Sequence, residues 1–338
     1  MTTAPLLTAL PFHRMACYTG RHRWWRPVAG SLLVFAGWLL IVGFADAVIS
    51  GVGEGLGRPS LPDGTTDFGA LGNIALQLLY IALLLPLVLL AVRWTGRRPA
   101  GTVSSVTGRL RWRWLGRCLA AALPAAALLG AAVVFLPIEE SVAGAEPAQW
   151  VGWPMFLTSL PVLALVVPLQ AAAEEYVFRG WLLQAVGGFL RSPWCAVLPQ
   201  ALLFGAAHGW GTVWGFVDLC VFGAVAGYLT VRTGGLEAAV ALHVVNNLLA
   251  FGLSAAVVDG LVADETSADA PWLLAVVDMT VVLLYAATVH WLARLHRPQR
   301  ISTSAPRPVM AAPAAPPPPS GPTPPYAAGP APGHGRQY

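Results

Sequence analysis

Eight stretches of the chain are apolar over about the 20 residues that a helix needs to cross a bilayer: 28–49, 69–92, 115–137, 153–173, 194–209, 213–231, 236–257 and 271–293. The fifth is short, and the fourth runs on into a half-apolar stretch. Basic residues precede the first, and Ala45-Asp46-Ala47 mimics a cleavage site. Its length, and the seven spans that follow, predict a signal anchor rather than a removed signal peptide. The pattern predicts an all-α fold, a polytopic membrane helix bundle of about eight transmembrane helices. Gly205/Gly209, Gly211/Gly215 and Gly223/Gly227 are small residues four apart, which lets helices approach closely.

Charge orients the bundle. The chain carries 20 basic residues, all of them Arg. With the N-terminus inside, Arg14, Arg21, Arg23 and Arg26 precede the first span, and seven more, from Arg93 to Arg117, lie between the second and third. Arg179, Arg191 and Arg232 lean to the same side, and Arg294, Arg297, Arg300, Arg307 and Arg336 follow the last span. Only Arg58 falls on the opposite side, which collects Glu54, Asp63, Asp67, Glu139, Glu140, Glu146, Asp259, Asp264, Glu265 and Asp269. This asymmetry predicts an even number of spans with both termini cytoplasmic. It also reads the basic balance as a topology signal, so no nucleic-acid partner is expected. Trp24, Trp25, Trp94, Trp112 and Trp114 read as an aromatic belt at the inner surface.

Composition agrees. Of 338 residues, 56% are hydrophobic and only 11% charged, against about 25% charged in an ordinary soluble domain. The absence of Lys suggests a GC-rich, bacterial genome, and hence a multi-pass protein of the plasma membrane. Four cysteines without a CxxC pair indicate neither a disulfide framework nor a zinc ribbon. From about Pro298 the chain turns Pro- and Ala-rich, predicting a disordered cytoplasmic tail. The predicted organisation is an N-terminal cytoplasmic segment, 1–27; N-terminal spans, 28–149; a polar-bearing helical core, 150–257; a last span, 258–297; and the tail, 298–338.

Ionisable residues inside a bilayer cost about 2.5–3.5 kcal/mol each on insertion scales, so they mark function by default. Here they cluster in three places: Glu174-Glu175-Tyr176-Val177-Phe178-Arg179, then Phe204 to His208, then His243 to Asn247. Glu175 and Arg179 are four apart, share a helix face and can pair. Glu174 points about 100° away and is the free carboxylate, suited to a general base. His243 and Asn247, also four apart, can present N–H groups to one point. Glu174 and His208 each lie 17 residues from Arg191, at the turn between two spans. Antiparallel helices would therefore bring them to equal depth, on the order of 25 Å from the turn. Asp218 and Asp278 read as interhelical or cavity groups, and His290 as interfacial. Each polar group taken alone could be helix glue, but several together are costly for packing alone.

In order and spacing, Glu-Glu-x-x-x-Arg, Phe-x-x-x-His and His-x-x-x-Asn resemble the CPBP family of intramembrane proteases, also called the Abi or CAAX-protease-like family. The Phe178-Arg179-Gly180 ending and the stretch from Gly227 to His243 are similar to it as well. The resemblance covers about residues 150–250 and implies an intramembrane endopeptidase. It implies that Glu174 activates water with help from His208, that His243 and Asn247 stabilise the oxyanion, and that Glu175 and Arg179 support them. No cofactor is then expected. The alternative is a zinc enzyme holding the metal on Glu174, His208 and His243. The implied partners are a membrane-associated peptide or protein substrate and the lipid bilayer. A non-catalytic scaffold that keeps the motif, or a proton-coupled transporter, would be the reading from another class; no repeat between the two halves supports a transporter.

Overall fold

The computed structural model describes residues 9–61, 64–136, 149–262 and 266–303, together with Gly329. Residues 9–303 fall within one compact unit. Among the described residues the fold is all-helical, with only isolated β-bridges besides. The α-helices are α1 (Trp25–Gly55), α2 (Ala70–Ala82), α3 (Leu84–Trp94), α4 (Trp112–Phe135), α5 (Trp153–Glu175), α6 (Leu183–Gly187), α7 (Trp194–Ala207), α8 (Val213–Thr233), α9 (Glu237–Ser254) and α10 (Trp272–His296). A π-helical stretch, Tyr176–Leu182, joins α5 to α6. α2 runs into α3 with a break at Leu83, where Pro86 has no N–H to offer the carbonyl of Ala82.

Among the described residues, seven helices are long and apolar enough to cross a membrane, counting α2 with α3 and α5 with α6. α7 is the exception to the expected eight. It is apolar but has 14 residues, about 21 Å of helix. The acidic positions Asp63, Glu139, Glu140, Glu146, Asp264 and Glu265 lie outside the described residues, as does the tail beyond 303 apart from Gly329.

Lipid tails are as apolar as Leu, so close packing rather than water exclusion must hold the bundle together. α7 lies along α8, α4 along α9, α5 against α2 and α9, and α10 against α8 and α4. Small residues sit at the α7–α8 contact. A Cβ on Gly223 would come within 2.9 Å of the Ala201 Cα, and one on Gly227 within 2.6 Å of the Gln200 side chain. Gln200 fills that seam and donates to the carbonyls of Val197 and Gly223, both at 2.9 Å. Gly211 and Gly215 give the same clearance to the backbone at Ala268. α1, by contrast, faces outward along most of its length.

One end of the bundle is tied by charge. Arg111 forks onto Glu237, with Nε to Oε1 at 2.8 Å and Nη2 to Oε2 at 2.6 Å, and its Nη1 donates to the carbonyls of Thr233 and Gln299. That joins the starts of α4 and α9, the end of α8 and the chain after α10. At the same end Leu10 and Ser302 exchange hydrogen bonds, N to Oγ at 3.0 Å and N to carbonyl at 2.8 Å. Both ends of the described segment therefore lie side by side. Residues 299–302, expected in the tail, are held in place, and Ser302 is buried. The aromatic belt needs one correction. Trp24, Trp25, Trp94 and Trp112 are exposed, but Trp114 is buried in the core beside Cys118 and Ala122. It lies two residues on from Trp112, on the helix face turned inward.

Candidate active site

The polar residues of α5, α7 and α9 converge inside the bundle. Glu174 and Glu175 end α5, and the π-helical stretch begins at the next residue. Such wide turns recur at functional sites because they re-aim the side chains that follow. Here the stretch carries Arg179 beneath Glu175, with Nη1 to Oε1 at 2.8 Å and both side chains fully buried. The expected pair is therefore present. The rest of the guanidinium lies over the ring of Phe204, 4.1 Å from its centroid, which partly compensates an ion removed from water.

Glu175 Oε1 also accepts from His243 Nδ1 at 2.7 Å. A carboxylate paired with Arg can only accept, so Nδ1 carries the proton and Nε2 turns toward Glu174. His208 is arranged in the same sense. Its Nδ1 lies 2.9 Å from the carbonyl of Phe204, which again can only accept. Both imidazoles are thereby fixed in tautomer and orientation.

Their free Nε2 atoms face one carboxylate oxygen. Glu174 Oε2 lies 3.6 Å from His243 Nε2 and 4.0 Å from His208 Nε2. Both distances exceed a direct hydrogen bond. Oε2 is buried and has no hydrogen-bond partner. Glu174 is 8% exposed and His243 2%, while the His208 side chain is 24% exposed, so the His208 side is the more open.

Helix ends set these positions. α7 stops at Ala207, leaving His208 as its C-terminal cap, and Gly209 turns the chain away at φ +101°, a conformation that favours glycine. Thr266 Oγ1 donates to the carbonyl of His208 at 3.1 Å. Thr212 caps α8 through the N–H of Gly215 at 2.9 Å and ties it to the carbonyl of Ala270 at 2.7 Å. The short α7 thus ends at His208, and Glu174 and His208 do reach the same depth.

Asn247 comes to the cluster through a residue that sequence reasoning missed. Gln170 donates from Nε2 to Glu174 Oε1 at 2.6 Å and accepts on Oε1 from Asn247 Nδ2 at 3.1 Å. One amide thus clamps the oxygen of Glu174 that faces away from the imidazoles and uses one N–H of Asn247. The other N–H stays free. The signal was available: Gln170 is a polar residue within an apolar span, one helical turn before Glu174. Phe204 and Phe222 form the apolar wall, their rings 5.8 and 5.4 Å from that of His243. Asp218 and Asp278 are buried facing one another between α8 and α10, an interhelical pair as expected. Among the described residues, no three His, Cys, Asp or Glu side chains are grouped as a metal site.

Residues 154–249 match the family model described as type II CAAX prenyl endopeptidase Rce1-like. The matched stretch contains Gln170, Glu174, Glu175, Arg179, His208, His243 and Asn247. The chain is also similar to the uncharacterized protein YyaK of Bacillus subtilis (strain 168), at 32% identity over 171 residues, 48% of this chain. The chain spans 55% of the length of that relative. No solved structure matches.

Proposed function

From the CAAX-protease-like family of residues 154–249 and the geometry around Glu174, we propose that the chain is an intramembrane endopeptidase. It hydrolyses peptide bonds of membrane-associated protein or peptide substrates. The observation that carries this reading is Glu174 Oε2, buried and unpartnered between two imidazoles whose Nε2 atoms lie 3.6 and 4.0 Å away. Neither gap is closed by a direct hydrogen bond, so a water admitted beside Oε2 can accept and donate there in place of a missing protein partner.

In the reaction the water oxygen adds to the scissile carbonyl carbon while Oε2 takes its proton. His208, on the open side, holds the water. Negative charge then develops on the carbonyl oxygen. The free N–H of Asn247 donates to it, worth about 2.7–4 kcal/mol by comparison with a removed oxyanion donor, and His243 joins as a donor once its free Nε2 has taken up a proton from solvent. The Glu175 carboxylate supports the positive charge on His243. When the C–N bond breaks, the proton on Glu174 passes to the leaving amine. No Ser or Cys nucleophile is required.

A zinc-dependent version is the second reading. It is favoured by one feature: both imidazoles donate from Nδ1 to a fixed acceptor and leave Nε2 free, as zinc-bound His do. The donors Glu174, His208 and His243 would hold the ion, which would activate water as a Lewis acid. Incubating the purified full chain with quenched membrane-peptide substrates, with and without chelator, tests both readings. Cleavage that survives chelation supports the metal-free mechanism. Activity lost on chelation and restored by zinc supports the second reading, and no cleavage of any membrane peptide counts against a protease.

The membrane arrangement belongs to the same proposal. α7 makes a short eighth crossing, and the Arg-rich end, where both ends of the described segment meet, faces the cytoplasm. The chain is then a multi-pass protein of a bacterial plasma membrane.

A further inference from the structure

The Arg-rich end of the bundle contains a recess that the proposed chemistry does not use. Ala16, His22, Arg26, Gly96, Arg98 and Trp181 line it. It lies where α1 begins and α3 has just ended, beside the exposed Trp24, Trp25 and Trp94. Trp181 Nε1 donates to Ser31 Oγ at 3.0 Å, which fixes α1 against the recess wall. A Cβ on Gly30 would collide with the Trp181 ring, so this approach is close.

Among the described residues its charges have no counterion. Arg98 is 5% exposed, and the hydrogen bond found for it is from Nη1 to Thr102 Oγ1 at 2.7 Å. Burial disfavours its charge, with only Cys17 nearby to favour it, yet a guanidinium stays protonated in a protein. Arg26 Nε and Nη1 and His22 Nε2 are buried without hydrogen-bond partners. Arg14, Arg98 and Arg26 all lie near enough to His22 to add to burial in lowering its pKa. Among the described residues, neither Arg26 nor Arg98 forms a salt bridge; the Arg–carboxylate pairs are Arg111–Glu237 and Arg179–Glu175. A buried guanidinium left unpaired is costly, as are buried N–H donors without acceptors. Several such donors line one recess.

We propose that Arg26, Arg98 and His22 bind a phosphate group at this end of the bundle. Guanidinium donors match phosphate oxygens in geometry and charge. The recess is about 20 Å3, room for about one oxygen-sized atom. One phosphate oxygen enters it, and the rest of the ligand stays outside, at the level of the exposed Trp residues. An anionic phospholipid headgroup presents a phosphate in that manner, and free phosphate offers the same oxygens.

The test is thermal unfolding of the full chain in maltoside-detergent micelles, which contain no phosphate, in the same micelles with phosphatidylglycerol added, and in the same micelles with inorganic phosphate added. Wild type, R26Q, R98M and R97Q are compared, Arg97 being exposed and outside the recess. Phosphatidylglycerol should raise the wild-type Tm on the order of 5 °C by binding the folded state. R97Q should keep the shift, and R26Q and R98M should lose most of it. The same pattern with inorganic phosphate alone supports the site and makes free phosphate the source. No shift with either anion, or an equal shift in all four proteins, overturns the proposal. So does an R98M that melts lower than wild type by the same margin in every condition, since Arg98 would then be only structural. If R98M does not fold, R26Q against R97Q decides.

Discussion

At the scale of single residues, two oxygens of one carboxylate have different jobs. Glu174 Oε1 is held by Gln170 at 2.6 Å, and Oε2 is left to the imidazoles. E174Q should therefore fold and still lose cleavage by a factor of about 10²–10⁴, the usual contribution of a positioned base. In the proposed mechanism Asn247 acts later, on the oxyanion. N247A should lower kcat by about 10²–10³ with little change in KM, a split that steady-state kinetics on one peptide will read. Glu175 and Arg179 differ in kind, since both are fully buried and paired. Removing one partner by R179M leaves a buried charge, at a cost of about 3–5 kcal/mol. Unfolding measurements should find R179M much less stable than E174Q. Glu174, Glu175, Arg179, His208, His243 and Asn247 were all legible in the sequence because charge and amide groups stand out in apolar spans. Gln170 was as visible but belonged to no spaced motif. Its role depends on Glu174 and Asn247 meeting across α5 and α9, which spacing along one helix does not reveal.

At the scale of elements, α7 decides whether the site exists. It ends at the depth of Glu174 and presents His208 from its last turn. Its seam with α8 depends on Gly223, where a Cβ would meet the Ala201 backbone at 2.9 Å. Gly223→Val should push α7 off α8, costing about 1–3 kcal/mol by overpacking, and carry His208 away from Glu174. Activity should fall further than stability, which comparison of Tm with kcat/KM will test. The sequence showed α7 as a short span and the Gly pairs as close contacts, because apolar length and small residues are local signals. The π-helical turn after Glu175 was not legible, since no Pro or Gly marks its start and the expected four-residue pairing survives within it. Trp114 was misread for a related reason: its place two positions from Trp112 looked interfacial, but helix rotation turns it inward.

At the scale of the whole molecule, the Arg-rich end is where the fold is fastened. Both ends of the described segment meet there through Leu10 and Ser302, and Arg111 with Glu237 joins three helices to the chain after α10. Truncation after Pro298 should lower the Tm, because it removes the Gln299 carbonyl from Arg111 and Ser302 from Leu10. His13 is buried at this end with its Nε2 against the carbonyl of Arg191 at 3.0 Å. Burial lowers its pKa, more than that hydrogen bond raises it, and Arg14 lowers it further. A base with a depressed folded pKa gives stability that is present above its unfolded value of about 6.5 and lost as pH falls below it. The wild-type Tm should drop below about pH 6.5, and H13N should flatten that slope. The asymmetry of the Arg residues made one end of the bundle stand out in the sequence. The ties at that end were hidden, since they join residues up to 292 apart in the chain.

The most direct measurement is the rate at which purified wild-type and E174Q protein cleave the same quenched membrane peptide, with chelator present and after both are shown to be folded. Wild-type cleavage that persists, with E174Q slower by at least about 10², is the predicted result. A folded E174Q that cleaves at the wild-type rate would contradict Glu174 as the base that activates water.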